Sequence, residues 1–250
     1  MFFDICHSKQ LLTFVNNLTV HYPSGLMNDA LDPLAIAKQP TQQRARERFD
    51  RILAEAERLL IEQGLAGFSI PLLAERLDFT RGSVYAYFPT PYAILNELVL
   101  RYLVELEGEF FARTEKLRKL NWSEGIEAVV DIAIAFHNSH PAARLLLLGG
   151  AVTDDSFRAQ ERTNRRLGEL GRQVWSPHIP LPENPDVTTL IVDIGIACFR
   201  RSFFEHGKIT PAYRDAAVAA MTGFLRPHVE SAAKRGPAKR QASKIVRRVR

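Results

Sequence analysis

Ser69–Phe88, SIPLLAERLDFTRGSVYAYF, decides how the rest of the chain is read. Leu72, Leu73 and Leu77 recur at helical spacing and predict one short amphipathic helix. Ser69 stands where an N-cap belongs, and Pro71 falls in the first turn, where a missing N–H costs nothing. Asp78-Phe79-Thr80 breaks the pattern, and Thr80 can cap a second helix that opens with Arg81, Gly82 and Ser83. That helix is small and polar on one side, while Val84 and Phe88 point to a core. Such a helix suits the DNA major groove, which is wide enough to admit it.

Upstream, Thr41 to Gln63 predicts another helix. Phe49, Ile52, Leu53, Ala56, Leu59 and Leu60 form its apolar stripe, and Gly64 is expected to stop it in a left-handed conformation. Arg44, Arg46, Arg48 and Arg51 crowd its first turns. Downstream, Pro91 starts a long helix expected to run to about Lys119.

Residues 44–95 resemble the DNA-binding domain of the TetR family of bacterial transcriptional regulators. The likeness rests on the amphipathic helix ending in Glu62-Gln63-Gly64, on the Ser69-Ile70 and Leu73–Leu77 stretch, and above all on Phe79–Phe88. It implies an all-α protein with a three-helix helix-turn-helix head and a C-terminal helical domain for effector binding and dimerisation. In such a protein Thr80, Arg81, Gly82 and Ser83 would lie at base edges. Tyr85 and Tyr87 would reach phosphates, with further contacts from Ser69 and Arg44. The family usually carries a phosphate-binding lysine where this chain has Pro91.

Composition fits that organisation. The chain has 250 residues, of which 46% are apolar and 24% charged, enough for a small module plus a larger domain. The net charge of +5 comes from the end: eight basic residues and no acidic ones follow Glu230. Residues 41–95 carry seven basic and seven acidic side chains, so bulk charge does not argue for DNA binding. Cys6 and Cys198 form no CxxC and predict neither a disulfide framework nor a zinc site. No apolar run reaches membrane-spanning length, and the first residues lack a basic leader with a clean apolar core. A cytoplasmic location is expected.

Four segments follow from these features. Residues 1–40 show no sustained period and are expected to form an extension or disordered arm, 41–90 the DNA-binding head, 91–230 the ligand-binding and dimerisation domain, and 231–250 a basic disordered tail. Within 91–230 helices are expected over Trp122–Asn138, Ala142–Leu148, Asp154–Trp175, Val187–Glu205 and Pro211–Val229. The last two are more apolar than one buried stripe needs, which suggests a partner surface, and the resemblance implies a two-fold four-helix bundle there.

Phe110, Trp122, Phe136, Phe157, Trp175, Phe199 and Phe203 are the aromatics that could surround an effector cavity, and the resemblance implies an apolar effector. His137-x-x-His140 has no third ligand at metal spacing, and Asp154-Asp155 reads as a helix start rather than a catalytic pair. There is no GxSxG, phosphate loop or GxGxxG, so no enzyme and no cofactor is expected. The expected function is a regulator, most simply a repressor, acting as a homodimer on a palindromic double-stranded operator and released by a small molecule. The alternative is a small-molecule sensing protein with a degenerate head, which the lost lysine at Pro91 would explain.

Overall fold

The computed structural model describes residues 33–175, 179 and 181–234. Among these residues there is no strand. A 3-10 turn at Pro33–Ala35 leads to α1 (Gln43–Gln63), α2 (Ile70–Arg76), α3 (Arg81–Tyr85), α4 (Pro91–Phe111) and the single turn α5 (Thr114–Leu117). Then come α6 (Trp122–Ser139), α7 (Pro141–Leu148), α8 (Asp154–Trp175), α9 (Val187–His206) and α10 (Pro211–Lys234). The all-α architecture expected from the sequence is the one found. No helix among the described residues is long and apolar enough to cross a membrane.

The head forms because α1 buries its predicted stripe, Phe49 to Leu60, against Ile70 and Leu73 of α2 and Val84 and Phe88 beyond it, all nearly inaccessible. Phe49 stacks on Phe88 with ring centroids 4.7 Å apart. Arg76 on α2 reaches back to Glu62 at 2.7 Å and Glu55 at 3.5 Å on α1. Gly64 ends α1 with φ 66° and ψ −175°. This is not the expected left-handed helical conformation but a region that glycine alone enters without strain.

α4 carries the head into the body. It packs on α1 and on α6, α7 and α8, while α9 packs between α8 and α10, and α10 also lies on α6. The expected continuous helix from Pro91 to Lys119 is instead broken. α4 ends at Phe111, and Arg113 leaves helical geometry at φ −105°, ψ 4°. No glycine or proline marks the break. The new turn brings Leu117 into the core, where it is 3% exposed, so tertiary burial decides it.

Of the extension or disordered arm expected over residues 1–40, the described part is packed rather than disordered. Residues 33–40 lie along α4 and the end of the head. Thr90 Oγ1 donates to Leu34 O (2.6 Å), Asn96 Nδ2 donates to Ala35 O (3.0 Å), and Lys38 N donates to Tyr87 O (2.7 Å). Ala35 and Ala37 are buried. Residues 1–32 and the tail from 235 lie outside the described residues. At α8 the cap is Thr153, whose Oγ1 accepts from Ser156 N (3.1 Å) while Ser156 Oγ accepts from Thr153 N (2.9 Å). Asp154 and Asp155 occupy the first turn, where their charge favours the helix dipole. Thr153 Oγ1 also donates to Asn96 Oδ1 (2.8 Å), so one buried amide joins the N-terminal segment, α4 and α8.

Candidate functional site

The turn between α2 and α3 is built by a reciprocal pair of backbone bonds. Asp78 N donates to Glu75 O (3.1 Å) and Phe79 N to Ala74 O (2.9 Å), closing α2 in the Schellman pattern. Asp78 holds the left-handed position of that motif, with φ 54°. Phe79 then lies under two guanidinium groups of α1, Arg51 at 4.9 Å and Arg48 at 5.7 Å from its ring centre. Two of the four arginines crowding α1 are thus spent on the protein's own aromatic ring. Arg46 Nε donates to Pro40 O at 3.4 Å. The Arg44 side chain is exposed and makes no hydrogen bond, ion pair or ring contact among the described residues.

α3 is short, and its start is fixed by Thr80. Thr80 Oγ1 accepts from Ser83 N (3.2 Å) and shares a hydrogen bond with Ser83 Oγ (2.8 Å). Val84 is fully buried and roots the helix, while Thr80, Arg81, Gly82 and Tyr85 are exposed. The Arg81 side chain has no partner among the described residues. A Cβ at Gly82 would meet nothing closer than Thr80 Oγ1 at 3.9 Å. No internal packing requires a glycine there, so its bareness is available to whatever approaches from outside. Tyr87 is half-buried with its ring edge on Phe49 (5.9 Å). Ser69 caps α2, its Oγ accepting from Leu72 N at 3.4 Å.

The structure therefore brings Thr80, Arg81, Gly82, Ser83 and Tyr85 onto one helix, with Tyr87 just after it. It adds Lys38, whose backbone is bonded to Tyr87 and whose exposed ammonium has no ion-pair partner among the described residues. Lys38 sits in a segment without periodicity, so no sequence signal singled it out. At Pro91 the proline occupies the first turn of α4 behind the cap Thr90, whose Oγ1 accepts from Ala93 N at 3.3 Å.

The body encloses a cavity of about 370 Å³ between α4, α6, α8 and α9. Of the aromatics singled out in the sequence, Phe110, Phe157, Trp175 and Phe199 line it. Trp122, Phe136 and Phe203 do not. Trp122 is half-buried at the start of α6, and Phe136 is buried against the His140 ring at 4.6 Å. Phe203 belongs to a shallow outer groove with Phe204, under Arg144. Gly125 lets α6 approach the Trp175 indole, since a Cβ there would lie 2.8 Å from Nε1.

The polar lining was not foreseen: His137 from α6, Gln160, Glu161 and Asn164 from α8, and Asp193 and Arg200 from α9. Burial holds His137 down at about 4, helped by Arg144 and His140, so its imidazole is neutral at physiological pH. Burial pushes the Glu161 and Asp193 carboxyls up, and Glu161 is pushed further by Asp193. His140 is not a companion ligand of His137. Its Nδ1 lies 2.8 Å from Phe136 O and its Nε2 3.1 Å from Glu105. No cluster of three metal-binding side chains occurs among the described residues.

Residues 52–98 match the sequence profile of the family described as bacterial regulatory proteins, tetR family. No curated protein matches the chain significantly. The fold is similar to the crystal structure of a TetR-family transcriptional regulator from Streptomyces coelicolor, at 23% identity and TM-score 0.55, over 72% of this chain and 99% of that one. It is also similar to the multidrug binding protein EbrR complexed with imidazole, at 18% identity and TM-score 0.57, over 74% and 93% of the two chains. A member of the TetR family from Streptomyces coelicolor A3 matches at 14% identity and TM-score 0.50, over 71% and 98%. Residues 52–98 therefore form a helix-turn-helix module of the tetR family of bacterial regulatory proteins, and the chain that carries it has the fold of TetR-family regulators.

Proposed function

We propose that the chain is a cytoplasmic transcriptional regulator that binds a palindromic double-stranded operator as a homodimer and releases it when a mainly apolar small molecule fills the cavity. The observation that carries the reading is the outer face of α3. Thr80, Arg81, Gly82 and Ser83 stand at the start of a rooted helix, and among the described residues neither the Arg81 side chain nor Gly82 has an internal packing partner. Arg81 can span a guanine edge, the hydroxyls of Thr80 and Ser83 can meet either groove edge or phosphate, and Tyr85, Tyr87, Ser69 and Arg44 supply phosphate contacts.

The dimer reading rests on α9 and α10. Leu190 and Phe204 are exposed on α9, and α10 exposes Ala212, Ala216, Ala219, Ala220 and Gly223 at helical spacing. Small residues there allow a second copy to approach closely, and two helices from each copy make a four-helix bundle. Ligand in the cavity, between α4 and the bundle helices, favours dimers whose heads are wrongly spaced. Coupling of this kind is reciprocal and amounts to about 1–3 kcal/mol.

A gel shift on the DNA upstream of the chain's own gene tests the reading: a shift that outcompetes random DNA supports it. The rival, a sensor with a degenerate head, draws on Pro91, and ligand binding without any DNA preference would favour it. Lys38 beside Tyr87 weighs against the rival, since it offers a cation close to where α3 ends.

A further inference from the structure

One fully buried acid in this body is neutralised by the protein itself. Glu107 is 3% exposed, and its Oε1 accepts from Arg166 Nε (3.0 Å), Arg166 Nη2 (2.7 Å) and Thr163 Oγ1 (2.6 Å). Glu161 and Asp193 behave differently. They come from adjacent helices, both line the cavity, and neither forms an ion pair among the described residues. Asp193 accepts one hydrogen bond, from Asn164 Nδ2 at 3.1 Å. Arg200, at the exposed rim, pairs with neither. Both carboxyls are part-buried in a largely apolar wall, and the one cation acting on them from outside the lining, Arg165 near Glu161, does not offset their burial and mutual repulsion. That cost falls when a further cation arrives.

A second, independent feature lies in the same cavity. His137 is 4% exposed and lines the cavity, and its buried Nδ1 has no hydrogen-bond partner among the described residues. Gln160 adds an amide nitrogen that is also buried and unpaired. Native interiors rarely leave such groups unsatisfied, and a ligand is one of the standard reasons. Because His137 is neutral at physiological pH, it offers a hydrogen bond without repelling positive charge.

We propose that the cavity takes an apolar-bodied organic cation, an amine or related onium group, whose charge sits against Glu161 and Asp193 while a polar group of the ligand meets His137. This rests on the reading of the cavity as the effector site and specifies that site's ligand class. Leu103, Leu106, Ile191 and Phe199 provide the apolar walls. One cation balances the lining, where two acids face the single rim arginine. Excess negative charge in a desolvated pocket disfavours the matching anion.

Three probes of one shape test this on the full-length protein by calorimetry and thermal shift: 4-phenylbutylamine, 4-phenylbutan-1-ol and 4-phenylbutanoate. The amine is expected to bind about tenfold or more tighter than the alcohol, and the carboxylate weakest, as expected of a partly desolvated charge contact. The double variant Glu161→Gln/Asp193→Asn should bring the amine-to-alcohol ratio toward one. The single variants should each lower it, which keeps the test informative if the double variant folds poorly. Equal binding of amine and alcohol to the wild type overturns the cation inference and leaves the effector site standing. A preference for the amine that survives all three variants overturns the assignment to this acid pair. If none of the probes binds at millimolar concentration, the effector-site reading falls and this inference with it.

Discussion

Replacing Gly82 by alanine separates what α3 does for the fold from what it does outside it. Gly82 is the second residue of α3, has no positive φ, and has no protein atom nearer than 3.9 Å to a built Cβ. Alanine is therefore compatible with the native backbone. Such a change stabilises by about 0.4–1 kcal/mol, because it removes conformations from the unfolded chain. For a chain of this size that raises the melting temperature by roughly 1–4 °C. The same methyl projects from the exposed face between Arg81 and Ser83. If that face lies against DNA, the methyl enters a packed interface, and overpacking costs about 1–3 kcal/mol, or roughly 5- to 150-fold in affinity. Thermal denaturation and fluorescence anisotropy with a labelled operator read the two effects separately. A more stable protein with weaker DNA binding is the expected outcome. Unchanged affinity would refute the claim that α3 presents this face to DNA, and a drop in melting temperature would refute the claim that nothing internal needs the glycine.

Other consequences can be checked alongside. Arg81→Ala should cost about 1–3 kcal/mol on the cognate site and relax preference at one base pair, as read by a panel of single-base operator variants. Lys38→Ala should instead weaken binding to all duplexes alike and reduce the log–log salt slope by about 0.9, the signature of one lost phosphate contact. Asp78→Gly should stabilise the protein by roughly 0.5–1 kcal/mol in urea unfolding, because the left-handed position costs an aspartate more than a glycine. Ala220→Glu on the exposed face of α10 should yield monomers by light scattering and abolish tight operator binding. His137 has a folded-state value of about 4, below its ordinary one, so below about pH 6.5 the unfolded chain takes up a proton that the folded chain refuses. Stability should fall from about pH 6.5 towards pH 4, and His137→Gln should flatten that decline.

The head was legible because its information is local. Ser69 and Thr80 cap their own helices within three residues, Pro71 fits the first turn of α2, and the stripe of α1 has a clear period. The parts that sequence reading missed depend on distant partners. Residues 33–40 carry no period because three of their backbone groups are satisfied by Thr90, Asn96 and Tyr87, more than forty positions away. The break after Phe111 has no local marker, since burying Leu117 decides it. In the cavity, aromatic type alone did not separate Phe199, which lines it, from Phe203, which points to an outer groove. The acidic pair and His137 emerged only when α6, α8 and α9 were brought together. Asp78 shows the same limit on a small scale: a turn was expected there, but the left-handed aspartate closing it carries no sequence mark.

In vitro selection from a pool of random duplexes, with the full-length protein and a stated salt concentration, tests sequence-specific binding by a two-fold dimer most directly. The account predicts enrichment of an inverted repeat whose half-sites are centred about one helical turn, roughly 34–36 Å, or a small multiple of it apart. Arg81→Ala should lose the preference at one position in each half. Retention of duplexes with no enriched motif, or of a single unrepeated half-site, would contradict it.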